Sequence, residues 1–464
     1  MTTTTSLPTA PERVPARRWR ADLTVLGVEA ALVALAAVVG AVLNRRGVGL
    51  YADAAPLYAT WRPHLGWGTP AALLVAAVVI GVGMRWARTA RWAPLLGVAY
   101  LASVAWAMSL ALVDGWSAGF TERLTPQAEY LHEVPGVTDV PAMLVGFTGR
   151  ILDFGPDSWS THTAGHPPGA LLVFVLLDRV GWGGGTAAAL ACVLVGATVT
   201  VSVPVALRAL GAADAAGAVV PFLVLLPGAV WVGASADGLF TGVVAAGLAL
   251  LAVRRRAAPA VGGLVLGFAL YLSYGFVLIG VLALAVLVLR PVGRIAALLS
   301  ALAGVAAVVA AFTTAGFWWW DGYQRVVERY YQGWAAERPY GYWVWADLAA
   351  LVCSAGPAVG PALCRAVRSR LRSRPPGPAG RFRSPLAAAS AARPTVLLPL
   401  AAALVVLASD LSGLSKAEVE RIWLPFAVWL LVATAHLPED TRRWWLVGQA
   451  ATALAVNHLL WTVS

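Results

Sequence analysis

Charge is scarce in this chain, and lysine is almost absent. Only 12% of the 464 residues are charged, about half the share of a soluble domain. Lys416 is the one lysine. Cysteine is nearly missing too. Cys192, Cys353 and Cys364 lie in or beside apolar stretches, with no spacing for a thiolate metal site or a disulfide framework. They read as small core residues. No nucleotide-binding P-loop and no Gly-x-Gly-x-x-Gly fingerprint occurs, which argues against bound nucleotides. Gly183-Gly184-Gly185 reads instead as a tight turn between helices. No alternating apolar pattern marks a β-barrel. No internal repeat is visible, and no paired broken helices of an inverted-repeat transporter.

What remains is hydrophobic. Apolar residues make up 59% of the chain, and its mean hydropathy is +0.74. Runs at 23–42 (interrupted by Glu29), 66–84, 186–207 and 395–408 are near or at the length that spans a bilayer. The expected fold is an all-α polytopic integral membrane protein of about 12–14 transmembrane helices, with long extracytoplasmic loops. The first apolar run has no small-residue cleavage site after it and reads as an uncleaved anchor.

The net charge of +11 does not point to nucleic acid, because arginine collects in short loops as the positive-inside rule predicts. These loops are the tail 1–21 with Arg13, Arg17, Arg18 and Arg20, then 85–91, 254–256, 290–294, the stretch 365–384 and 442–443. They are assigned to the cytoplasm, which places the N-terminus there and the chain in the plasma (inner) membrane. The 365–384 loop holds seven arginines and a Pro-Pro-Gly-Pro run. It reads as a disordered linker against anionic lipid. Residues 22–464 form the membrane domain. Its outer side receives loops 44–68, 114–167, 317–342 and 410–420, which carry most of the acids outside the tails.

One region resists this alternation. Three apolar segments, 186–207, 217–233 and 239–253, separate residue 180 from Arg254. With both of those positions cytoplasmic, parity allows only an even number of crossings. Pro221, Pro227 and Gly228 make a broken or re-entrant helix the expected remedy. Likewise 259–289 is too long for one span, and Ser273-Tyr274-Gly275 is where it divides.

Chemistry concentrates in the outer loops. The long loop 114–167 opens on Asp114 and carries Glu129 in Ala128-Glu129-Tyr130. It closes on Thr161-His162-Thr163-Ala164-Gly165-His166-Pro167-Pro168-Gly169 at the start of an apolar run. Loops of that length are uncommon unless they work. Taken singly, each acid or histidine reads equally well as a hydrated or capping residue. Asp237, in Ser235-Ala236-Asp237-Gly238, lies between two apolar runs, where an ionisable side chain marks a functional position. It is also a fitting helix N-cap. Glu418 and Arg421 share a helical face at the entrance to the last apolar region. The pair is either structural or a guanidinium grip for a phosphate. Arg325 and Arg329 lie one turn apart in an aromatic loop. That loop reads as an interfacial belt or as a grip for an anionic headgroup.

Together the acid-bearing outer loop, the His166-Pro167-Pro168 start of a later span and the Ser235-x-Asp237 step resemble the GT-C superfamily of membrane glycosyltransferases. The likeness is to the protein-mannosyltransferase branch and the related bacterial envelope-sugar transferases, and it covers about residues 114–251. The resemblance implies transfer of a sugar from a polyprenyl-phosphate donor to a glycan, lipid or protein acceptor on the outer face, usually with inversion. It implies that Asp114 or Glu129 takes the acceptor proton. His162, His166 and Asp237 would orient donor or acceptor, and Arg421 would hold the donor phosphate. Some relatives use a divalent cation, and a carboxylate–histidine cluster can bind Mg or Mn, but no ligand spacing here demands one.

The chain departs from the family pattern in two ways. Two extra spans precede the long loop, which makes Asp53, in Leu50-Tyr51-Ala52-Asp53, a rival base. The family's adjacent acidic pair is absent. The residues alone leave open a polyprenyl-lipid transporter or a non-catalytic envelope-assembly protein.

Overall fold

The computed structural model describes residues 16–372 and 393–462. Arg13 of the expected tail and residues 373–384 of the basic loop lie outside the described residues. The rest of that loop is helical, within Val359–Arg372, rather than an irregular linker. Among the described residues, regular structure is helical except for one antiparallel ribbon, Ala59–Trp61 against Leu460–Thr462.

Among the described residues, six helices are long and apolar enough to cross a membrane: Arg20–Arg45, Thr69–Thr89, Trp92–Ala111, Gly184–Ala209, Arg294–Thr314 and Pro394–Ser412. A broken pair, Tyr340–Ala355 and Val359–Leu371, bends by 95°. Five shorter apolar helices accompany them: Ala213–Val224, Asp237–Ala252, Ala258–Ala269, Tyr274–Leu289 and Leu424–His436. The chain is thus the helical, multi-pass membrane protein that its hydropathy predicts. Among the described residues, six helices, or seven with the bent pair taken as one span, have the length and composition to cross, against about 12–14 spans expected. Many of the apolar helices are short because Pro and Gly interrupt them; twelve helical residues rise only about 18 Å.

Contacts between distant residues define two faces. At one face Arg365 grips Asp22 (Nε–Oδ1 2.9 Å, Nη2–Oδ2 2.6 Å), and Arg88 pairs with Glu439. Arg208 lies over the Trp92 ring, 4.6 Å from its centroid. Arg290 donates to the carbonyls of Leu251 and Val253. This is the basic face. At the opposite face the ribbon joins the first acidic loop to the C-terminal strand, and Trp319 Nε1 donates to Leu270 O at 2.9 Å. The latter contact puts the expected break near Ser273 among the acidic loops.

The parity conflict has a physical origin. The helix that follows His166-Pro167 is Pro168–Arg179, only 12 residues long. It does not leave the loop face: Arg179 Nη2 at its far end donates to Thr138 O of the long loop, at 3.0 Å. The expected span is therefore a helix within the layer of acidic loops. Gly184–Ala209 then leads to the basic face at Arg208. Ala213–Val224 and the turn Ala229–Val232 lead back, with the anticipated break at Pro227-Gly228. Asp237–Ala252 descends again. The chain thus runs between the two faces three times, though of these passes only Gly184–Ala209 has the length of a full span.

Close helix contacts use small residues, as expected where lipid removes the hydrophobic drive between helices. A Cβ on Gly263 would lie 2.1 Å from Ala301 O, and one on Gly304 would lie 2.4 Å from Ala260 O.

Candidate active site

Four segments meet where the acidic loops cover the helix ends. The long loop is stitched to itself by His162 N donating to Ala128 O (2.9 Å) and Ser160 N donating to Glu133 Oε1 (2.6 Å). This brings Glu129 beside the short helix Thr161–Gly165, which carries His162. Pro167 and Pro168 keep the preceding backbone extended, with ψ of 155° at His166 and 160° at Pro167. Asp237 opens its helix just after the break at Gly233. Arg421 sits on the turn Val419–Ile422, reached through two left-handed residues, Ala417 (φ 69°) and Glu418 (φ 63°).

Arg421 is the hub. Its Nη1 donates to Asp237 Oδ2 at 2.8 Å, and its Nη2 donates to Glu418 Oε2. Nη2 also lies 3.2 Å from His162 Nε2. On the other edge of that ring, His162 Nδ1 is 2.6 Å from Glu129 Oε1. A neutral ring held this way carries its proton on Nδ1. The Glu129 contact is close but poorly aligned, so Oε1 has no aligned donor. Glu129, Asp237 and Arg421 are all buried. Tyr130 packs beside both histidines, with centroids at 6.2 Å and 5.7 Å.

Electrostatics follow from this packing. Burial alone would raise the Glu418 pKa, but Arg421, Arg338 and His162 outweigh it and hold it at about 2. Burial opposes a charged His162; Glu129 overcomes that and raises its pKa. His166 has no such partner at its ring edge, and burial lowers it to about 4. Its Nδ1 faces His162 O at 2.8 Å, and its ring lies against Tyr130 and Phe240.

Glu129, His162, His166, Asp237, Glu418 and Arg421 are therefore brought together. The other expected residues lie elsewhere. Asp114 is locked between Arg123 Nη2 and His64 Nε2, each at 2.6 Å. Asp53 is exposed on the first acidic loop, 3.4 Å from Thr60 Oγ1. Arg325 pairs with Glu328 at 3.2 Å on the surface, and Arg329 pairs with Asp153 at 2.9 Å. Their helix, Trp319–Gln332, braces the long loop and does not reach Arg421 by any contact observed among the described residues.

Three members were not evident from the sequence. Arg338 Nη1 donates to Glu418 Oε1 at 3.3 Å. Glu420 Oε1 accepts from Tyr58 N at 2.8 Å, which ties the first acidic loop to the hub. Tyr58 lies under Arg338, whose guanidinium is 5.7 Å from the ring centroid. Arg338 precedes a proline at the end of an aromatic stretch, where it looks like any interfacial arginine. Glu420 is masked by its neighbours in Glu418-Val419-Glu420-Arg421.

No three His, Cys, Asp or Glu side chains among the described residues converge as a metal shell. The carboxylates of Asp237 and Glu418 are turned to guanidinium groups. These residues do not fit a resident divalent cation.

No protein-family profile matches the chain, and no curated protein matches it. Among solved structures, it is similar to the crystal structure of the Archaeoglobus fulgidus oligosaccharyltransferase in complex with Zn and sulfate. The TM-score is 0.48 at 12% identity, over 80% of this chain and 53% of the other. The chain thus spans about half the length of that protein.

Proposed function

We propose that this protein transfers a sugar from a polyprenyl-phosphate-linked donor to a cell-envelope acceptor on the outer face of the plasma membrane. The observation that carries this reading is the convergence of Glu129, His162, Asp237 and Glu418 on buried Arg421. Four segments far apart in sequence supply one anion-binding hub and one under-bonded carboxylate.

Glu129 is the base of this reading. Its Oε1 accepts the proton of the acceptor hydroxyl, whose oxygen attacks the anomeric carbon. The glycosyl–phosphate bond breaks, and the electron pair leaves on phosphate. Arg421 faces that developing charge. A phosphate leaving group needs no strong general acid. Asp237 orients Arg421, and His162 couples Arg421 to Glu129. Asp114 suits the base role less well, because Arg123 and His64 each occupy one of its oxygens. Asp53 remains at the solvent edge. The arginine distribution supports a cytoplasmic N-terminus and an outer-face site.

The test uses purified protein, a panel of radiolabelled polyprenyl-phosphate sugars and membrane extract as acceptor. Transfer by the wild type, lost in a folded Glu129→Gln variant, is the expected result. Tight donor binding with no transfer from any donor would instead identify a lipid carrier or an assembly protein.

A further inference from the structure

Glu418 differs from its partners in one respect. Its side chain is 21% exposed, whereas those of Arg421 and Arg338 are 6% and 5% exposed. It bridges them with its two oxygens, Oε1 to Arg338 and Oε2 to Arg421. Neither arginine depends on it for position. Arg338 is also held by the carbonyls of Leu50 (3.2 Å), Lys416 (2.9 Å) and Tyr51 (3.4 Å). Arg421 is held by Asp237 and His162, and its Nε has no protein partner. The bridging carboxylate rests on two consecutive non-glycine residues with positive φ, a conformation that costs energy and persists only where the surroundings impose it.

We infer that Glu418 is a built-in stand-in for a phosphate group, displaced when the phosphate head of a ligand enters between Arg338 and Arg421. The inference rests on the phosphate-linked donor proposed above. It adds a second cationic arm, Arg338, and names the group that must move. Two guanidinium groups sharing one carboxylate present the forked donors that phosphate oxygens also satisfy. With Glu418 in place, the two arginines face two carboxylates, those of Asp237 and Glu418. With Glu418 turned to solvent, one positive charge is left for the incoming anion. The two anchored arginines stay, and the left-handed backbone at Ala417-Glu418 is free to relax.

The probes are farnesyl phosphate and inorganic phosphate, titrated by calorimetry into the full chain in nonionic detergent. Glu418→Gln keeps the shape and removes the competing charge. It should bind farnesyl phosphate about tenfold tighter than the wild type, and Arg338→Gln about tenfold weaker. Parallel tightening for inorganic phosphate assigns the site to the phosphate head alone; tightening for farnesyl phosphate only assigns it to a lipid-linked phosphate. Unchanged or weaker binding by Glu418→Gln overturns the inference, as does the absence of binding by every variant. Wild-type hydrogen exchange supplies a second readout. Exchange across 415–419 should speed up on adding farnesyl phosphate, and unaltered exchange would also overturn the inference. Tighter binding by Glu418→Gln without sugar transfer keeps this site and removes the transferase reading. Sugar transfer with wild-type affinity in Glu418→Gln does the reverse.

Discussion

Arg421 Nη1 lies 2.8 Å from Asp237 Oδ2, joining residues 184 positions apart in the chain. Both are buried. Breaking such a pair strands one charge in a poor solvent for it, which costs more than the intact pair contributes. Asp237→Ala and Arg421→Ala should each destabilise by about 3–5 kcal/mol. Their combination should cost clearly less than the sum, read from thermal unfolding in detergent. Strict additivity would show that the two side chains do not act together.

Glu129 and Asp114 should separate chemistry from architecture. Glu129→Gln keeps the shape of the site but removes the proton acceptor. Transfer should fall by about 10²–10⁴-fold with donor affinity little changed. Asp114→Asn leaves Arg123 without its counter-charge and His64 without its carboxylate partner. It also loosens the C-terminal ribbon, because Arg123 donates to Thr462 O as well. Its unfolding temperature should drop, while the folded fraction keeps its turnover. An Asp114→Asn protein with wild-type stability and no transfer would move the base to Asp114.

Glu420 should make stability depend on pH in the opposite sense to Glu418. Burial pushes the Glu420 pKa up to about 7 from an ordinary 4.5. Between these values the folded state holds a proton that the unfolded state has released, so stability falls as pH rises through this window. The total is about 3 kcal/mol by pH 8. Glu418, held at about 2, adds stability above its ordinary pKa and loses it as pH falls toward 2. Glu420→Gln still accepts from Tyr58 N and lacks the titration. Its unfolding temperature should be flatter between about pH 4.5 and 7 and higher than wild type at pH 8. Equal slopes for the two proteins would remove Glu420 as the titrating group.

Hydropathy and arginine placement made the helical membrane fold and its two faces legible, because both signals are local. The break at Pro227-Gly228 and the division near Ser273 were legible for the same reason. The helix Pro168–Arg179 was not. Its residues are apolar enough for a span, and only its length and the reach of Arg179 to Thr138 show that it stays with the acidic loops. Within the candidate site, Glu129, His162, Asp237, Glu418 and Arg421 stood out as ionisable groups beside apolar runs. Which of them meet depends on loop closure, which no periodicity encodes. Asp114 and Glu129 looked equivalent in sequence. Arg123, nine positions from Asp114, and His64, fifty positions away, are what distinguish them. Arg338 was hidden among aromatic-belt residues because its partners are carbonyls of other loops.

The 95° bend between Tyr340–Ala355 and Val359–Leu371 should depend on Gly356. This residue has φ +90°, where an L side chain is strained. A Cβ there would sit 1.8 Å from Gln449 Oε1. Gln449 spans the bend, with Nε2 donating to Ala355 O at 2.9 Å and Oε1 accepting from Ala358 N at 3.4 Å. Gly356→Ala therefore meets both a backbone penalty and a clash, and should destabilise by about 2 kcal/mol or more. Adding Gln449→Ala removes the clash but leaves the strain and frees two buried backbone groups. The double variant should therefore remain well below wild type in thermal unfolding. Full recovery would show that the side-chain clash, and not the backbone conformation, makes glycine necessary at this bend.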